Sequence, residues 1–223
     1  MPCFQAHARC WWFLAVLVFA AMGCKRTPTG ELRLTGIIED ARLGSGLMDV
    51  DVVLEEQVVD GGVWVGNWTE AGASATDGSG AFQIAFQRKN VVANRVRAEK
   101  SGWFPVTADL SPEAWRGDDA ASWDAEMVPM AWVDLAFANA QPFGAPASVA
   151  FRFLHLNPRD LPIHHNEWGY FAGDNPPADA LHLMEGDQFL PFTWTVEREG
   201  ETTAFVDSVY LSRLDTIPLT ILF

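Results

Sequence analysis

Cationic residues are in short supply in this chain. Its 223 residues hold 15 lysines and arginines against 29 aspartates and glutamates, for a formal net charge of −14. Binding along a nucleic-acid backbone needs clustered positive charge to neutralise phosphates, so nucleic acid is not an expected partner. The same deficit removes electrostatic adhesion to anionic lipid, and membrane attachment would have to come from a hydrophobic anchor. Cysteine is scarce as well: the chain has three, and two of them, Cys3 and Cys10, lie near the N-terminus. The sequence lacks helical periodicity over most of its length, phosphate-cradling glycine loops, and serine or cysteine nucleophile motifs. A non-catalytic protein without a cofactor is expected.

What is present begins at the N-terminus. Met1 to Gly23 carries Arg9 as its one formal charge, followed by an apolar run from Trp11 to Met22. That run falls short of the roughly 20 residues a helix needs to cross a bilayer, and the pattern is that of a cleavable export signal. It ends in Ala21-Met22-Gly23-Cys24, with Lys25-Arg26-Thr27-Pro28-Thr29-Gly30 behind it. These residues resemble the lipobox of bacterial lipoproteins, with Ala21 where leucine is usual. The resemblance implies cleavage after Gly23, lipidation of the Cys24 thiol, a palmitate-bearing N-terminus and attachment to the cell envelope. Lys25 stands where inner-membrane retention favours aspartate, which implies the outer membrane; ordinary secretion is the alternative. Once Cys3 and Cys10 are removed, Cys24 is the only thiol left and no internal disulfide can form. A domain of this size does not need one.

Beyond a linker over 24–30, polar and apolar residues alternate in short bursts bounded by glycine, aspartate and asparagine, the mark of half-buried strands. Leu32, Leu34 and a shifted Ile37-Ile38 define one strand, and Val50, Val52 and Leu54 a second. Further strands are expected over Val63 to Trp68, Ala81 to Phe86 and Val91 to Glu99, with Gly61-Gly62 and Asp77-Gly78-Ser79-Gly80 as turns. Strands at this spacing predict an all-β chain of two consecutive β-sandwich domains of the Ig-like or transthyretin-like kind, over 31–129 and 130–223.

Three stretches of the first half resemble the carboxypeptidase regulatory-like (transthyretin-like) β-sandwich, an accessory module of many exported proteins. They are LTGIIEDARLGSGLMDVDVVL, with Gly36, Leu47 and Val50 at the matching positions; ATDGSGAFQIAF, with Thr76, Asp77, Gly80 and Phe82; and VRAEKSGWFPV, with Val96, Ala98, Lys100, Gly102 and Trp103. The resemblance spans about Glu31 to Pro129 and implies a binding or structural role. In the second stretch Asp77 is expected to cap the turn, with Gly78 and Gly80 in backbone angles closed to other residues.

In the second half, Ala131 to Asn139 and Ser148 to His155 read as an antiparallel hairpin across Gln141 to Ala147. Phe192 to Arg198 and Thr202 to Leu211 read as another, and Thr216 to Phe223 as a closing edge strand. The stretch 157–188, rich in proline, glycine, aspartate and histidine, reads as a long loop, where function tends to sit.

Two sets of side chains invite a ligand. His155, His164, His165 and His182, with Glu167, Asp174, Asp179 and Glu185, suit a metal, and His164 with Glu167 has the His-x-x-Glu spacing of zinc carboxypeptidases. The catalytic unit of those peptidases does not fit in the strand-patterned residues after Pro129. A metal-dependent hydrolase is therefore the last-ranked reading, and His164, His165, Glu167 and His182 remain weak metal candidates. Tryptophan is abundant, ten in the chain, and indoles stack on sugars or anchor protein interfaces. Trp64 and Trp68, four apart, would share one face of a strand. Trp115, Trp123 and Trp168, in polar surroundings, are expected to be exposed. A carbohydrate-binding module built on these five is the alternative to an accessory protein that binds another envelope protein or a glycan.

Overall fold

The computed structural model describes residues 30–60, 63–64, 66–115, 118–141, 144–154, 168–172 and 180–223. They are strands and turns, with one 3-10 turn at Pro112–Trp115 among the described residues. The strands are β1 (Glu31–Asp40), β2 (Asp51–Asp60), β3 (Val63–Trp64), β4 (Thr69–Ala75), β5 (Ala81–Gln87), β6 (Val91–Glu99), β7 (Val106–Leu110), β8 (Ala120–Ser122) and β9 (Ala125–Met127). In the second half they are β10 (Met130–Ala138), β11 (Ser148–Phe153), β12 (Gly169–Ala172), β13 (Ala180–Glu185), β14 (Gln188–Arg198), β15 (Glu201–Leu211) and β16 (Thr216–Leu222).

Period-2 burial explains the first half. On β1 the residues Leu32, Leu34, Ile38 and Asp40 point inward, and Ile37 lies outside, so the strand keeps its phase with no shift at Ile37-Ile38. Val52 and Leu54 on β2, Phe82, Ile84 and Phe86 on β5, and Val96 and Ala98 on β6 complete the core with Trp103, Trp115 and Met127. Fully burying each large apolar side chain is worth about 1.5–3 kcal/mol. One sheet places β1 between antiparallel β5 and parallel β8 and β9; the facing sheet runs β4, β2, β6, β7, with β3 pairing the end of β2.

The second half repeats this plan without counterparts to β3 and β8 among the described residues. β10 lies between antiparallel β13 and parallel β16, and the facing sheet runs β12, β11, β14, β15. Matched in order, β1, β2, β4, β5, β6, β7 and β9 correspond to β10 through β16. The chain is thus two β-sandwiches of one topology, each closed by a late strand laid parallel to an early one. The second core combines aliphatic side chains with a ring cluster, Phe151, Phe153 and Phe192 being buried in it and Phe137 and Trp194 packed against it.

Three expected connections differ. Val63 to Trp68 is not one strand: β3 stops at Trp64, and Trp68 precedes a separate strand, β4, in which Gly72 sits where a Cβ would press on the Ile84 methyl. Consecutive β10 and β11 do not form a hairpin, because each finds its partners in a different sheet, as β1 and β2 do. Stretch 157–188 contains β12 and β13, short strands that its proline and glycine content conceals. β14 and β15 do form a hairpin, and β16 is an edge strand as expected.

Candidate functional site

Where the two sandwiches meet, each buries a carboxylate that the other neutralises. Asp40, the last residue of β1, occupies an inward slot and is 1% exposed. Burial alone would raise its pKa, but the Arg213 guanidinium (2.6 Å) and the backbone N–H groups of Arg42 and Leu43 donate to its carboxylate and hold it below the usual carboxylate range. Arg213 also grips Asp187 through its side chain, and its N–H donates to that carboxylate at 3.1 Å. Reciprocally, Arg42 of the first sandwich donates to the buried Glu185 of β13 at 2.8 Å and to Gln188 at 3.2 Å. A desolvated carboxylate left unpaired is costly, so each half supplies what the other requires.

Backbone and apolar contacts fill in the joint. The Arg213 guanidinium lies over the buried Trp103 ring at 5.6 Å. The Met130 N–H donates to the Gly102 carbonyl and the Gly186 N–H to the Pro129 carbonyl, at 2.8 and 2.7 Å. Gly102 is in the left-handed region (φ 79°), and a Cβ there would lie 2.3 Å from the Leu214 side chain, so that leucine from the second sandwich seats on bare backbone of the first. Leu214 itself adopts φ 60°, an uncommon conformation for a leucine, held by its N–H donating to the Met130 carbonyl.

Strand direction then fixes the two remote ends. β1 runs from Glu31 to the joint, so residue 30 leaves the first sandwich at the far end. β14 and β16 run away from the joint, toward the Glu199-Gly200 turn and Phe223. There a cleft of about 640 Å³ opens between the two sheets, bordered by Trp194, Val196, Glu201, Thr203, Phe205 and Phe223, among others. Trp194 stacks on Phe205 (4.9 Å between centroids, 13° between planes), and its Nε1 is buried with no hydrogen-bond partner among the described residues.

The structure disperses the tryptophans. Trp115 is buried rather than exposed, at 3%; its Nε1 donates to the Arg33 carbonyl at 3.1 Å and its ring meets Phe86 edge-on. Polar neighbours in the sequence masked the fact that it ends a 3-10 turn with its ring in the core. Trp123 is half-buried against Phe82, and its carbonyl occupies the space where a Cβ of Gly36 would fall, at 1.8 Å. Trp68 is half-buried with Arg95 stacked over it at 4.3 Å, and Trp168 likewise beneath Arg152 at 4.4 Å. Trp64 is the exposed one, at 61%. These five indoles make no exposed platform among the described residues, and Trp64 and Trp68 do not share a strand.

The turn residues are placed as expected in part. The Asp77 carboxylate accepts from the Ser79 hydroxyl and N–H and from the Ala81 N–H, which lowers its pKa. Gly80 has φ 80°, but Gly78 keeps an ordinary φ with open space around it, so only Gly80 needs to be glycine. Thr76, beside it, is buried; its hydroxyl donates to the Leu47 carbonyl and accepts from the Val50 N–H, tying the two stretches together.

Of the metal candidates, His182 lies half-buried on β13 with its ring edge-on to Phe153 at 5.7 Å, and burial lowers its pKa. His155, His164, His165 and Glu167, like Asp174, Asp179, Gly23 and Cys24, lie outside the described residues. Among the described residues no three histidine, cysteine, aspartate or glutamate side chains are grouped to hold a metal ion. The sequence reading missed the joint, although β1 carried its signal: Asp40 continues the inward phase of Leu32, Leu34 and Ile38, and a charge in a core slot demands a partner.

No protein-family profile matches the chain, and no characterised protein matches its sequence. Solved structures share its strand arrangement loosely. The Bacillus anthracis TIE protein is 9% identical over 86% of this chain, which spans 34% of that protein, with a TM-score of 0.36. The shaft pilin SpaA from Lactobacillus rhamnosus GG is 12% identical over 87% of this chain and 97% of its own, with a TM-score of 0.31. The 3-chlorocatechol 1,2-dioxygenase from Rhodococcus opacus 1CP is 13% identical over 46% of this chain and 61% of its own, with a TM-score of 0.32. The likeness is one of β architecture alone.

Proposed function

We propose that this chain is a lipid-anchored, non-catalytic accessory protein of the bacterial cell envelope that carries its second sandwich away from the membrane. The observation that supports the reading is placement: residue 30 leaves at one remote end, and the aromatic cleft opens at the other, beyond the ion-paired joint. With Cys24 acylated, the linker over 24–30 spans at most roughly 25 Å when extended, which keeps the first sandwich near the lipid surface. Pairing across the joint favours a fixed angle between the sandwiches over a hinge.

Intact-mass spectrometry and membrane fractionation of the native protein beside a Cys24→Ala variant test the anchor. The expected result is a mature form beginning at acylated Cys24, with the variant lost from the membrane fraction. An unmodified soluble wild-type protein would replace this reading with ordinary secretion.

A further inference from the structure

We infer that the cleft at the remote end of the second sandwich is a docking site for an extended, cationic polypeptide segment, which adds as a strand to the free edge of β15. The inference deepens the proposed function by naming the class of partner, and its test does not depend on the anchor.

Among the described residues β15 is the outer strand of its sheet, 11 residues long, and pairs with β14 through an unbroken register. Edge strands are usually short, bulged, or guarded by lysine or proline, because a free row of N–H and C=O groups is a template for another chain. The corresponding edge of the first sandwich, β7, is only five residues long. β15 has neither lysine nor proline, and Glu201 through Ser208 are all exposed, although alternate residues face opposite sides of the sheet. Across the cleft, β16 carries Pro218, which has no amide donor, so β15 is the better template.

The inner face behind that edge specifies the side chains of an incoming strand. Phe205 and Asp207 pair with Trp194 and Phe192, so they share the inner face of the sheet, and Phe205 borders the cleft. Apolar side chains fit beside Phe205 and Trp194, which both border the cleft. Glu199 and Glu201 border the cleft and Asp207 lies on the same strand; against them stands Arg198, which is engaged with the Ala145 carbonyl and Asn139. This local acidity, on a chain of formal charge −14, repels a second copy and selects lysine or arginine at positions flanking the apolar ones. β-strand addition of this kind takes affinity from main-chain hydrogen bonds and specificity from alternate side chains.

The test is a titration of the full chain in detergent with a capped nonapeptide alternating lysine and valine, followed by amide NMR shifts and tryptophan fluorescence. Saturable shifts over β15 and at the Trp194 Nε1–H are expected. Methylating alternate backbone nitrogens of the peptide should weaken binding at least about tenfold, as should the Glu201→Lys/Asp207→Lys variant, whereas Asp109→Lys/Glu126→Lys on the first sandwich should bind like wild type. A glutamate–valine peptide should bind only the Glu201→Lys/Asp207→Lys chain. Binding indifferent to N-methylation, shifts mapping elsewhere, or no saturable binding would overturn the inference. So would sedimentation showing wild-type self-association through β15. The N-methylation comparison uses wild-type protein and decides the matter even if the double variant fails to fold.

Discussion

The two sandwiches are built on one strand plan and finished differently. The first packs mostly aliphatic side chains, seals its corners with close backbone approaches at Gly36 and Gly80, and ends in a short edge strand, β7. The second is also mostly aliphatic, with Phe151, Phe153 and Phe192 clustered in its core, but its sheet ends in β15, about twice as long and exposed along most of its length. Topology is therefore not what separates the halves. Among the described residues the difference lies in which edge strands are short and which are long and exposed.

The largest expected effect lies in the phenylalanine cluster of the second core. Phe151 touches Phe137, Phe153 and Phe192, so Phe151→Ala should cost about 3–5 kcal/mol in chemical denaturation, and a loss under 1 kcal/mol would mean that core is loosely packed. Next comes the joint. Arg213→Ala strands a buried Asp40 and should cost about 3 kcal/mol while splitting one unfolding transition into two; an unsplit transition would show that the ion pairs do not couple the halves. Acid should act on the same contact. The folded-state pKa of Asp40 is depressed, so its contribution is present above the unfolded value of about 3.9 and fades as pH falls through the folded value. Wild type should therefore lose stability below about pH 4 more steeply than Arg213→Ala does, as equal slopes would disprove.

A smaller effect sharpens the picture of the sealed first sandwich. Thr76→Val keeps the shape but leaves the Val50 N–H and Leu47 carbonyl without the hydroxyl, and should cost about 1–3 kcal/mol by thermal melting. Smallest of all, Trp64→Ala removes an exposed ring and should stay within about 0.5 kcal/mol, whereas a large loss would place that ring in a packed site.

Much of this architecture was legible from alternation. Leu32-Leu34, Val52-Leu54, Phe82-Ile84 and Val96-Ala98 announce their inward faces, and the β14–β15 hairpin follows from Glu199-Gly200. Pairing between distant strands was not legible, because it depends on which sheet a strand joins: β10 and β11 look like a hairpin locally and are separated by the sandwich. β4 was hidden by its alanines and glycine, since a strand that packs closely on β5 offers no apolar pattern. The candidate site suffered most. Tryptophans drew attention by type, yet Trp115 had a core slot waiting and Trp68 and Trp168 had arginines to cover them. The aromatic pair at the cleft, Trp194 and Phe205, meets only because β14 and β15 fold back on each other.

The parallel closing strands bear on timing. β1 waits for β8 and β9, with the Thr35 hydroxyl bonding to a carbonyl 86 residues further on, and β10 waits for β16. A nascent chain holding β10 but not yet Thr216–Leu222 has its central strand paired on one side only. Contacts so distant in sequence form slowly, because loop closure must precede the contacts that reward it. Each sandwich thus stays unfinished until its final strand has been synthesised.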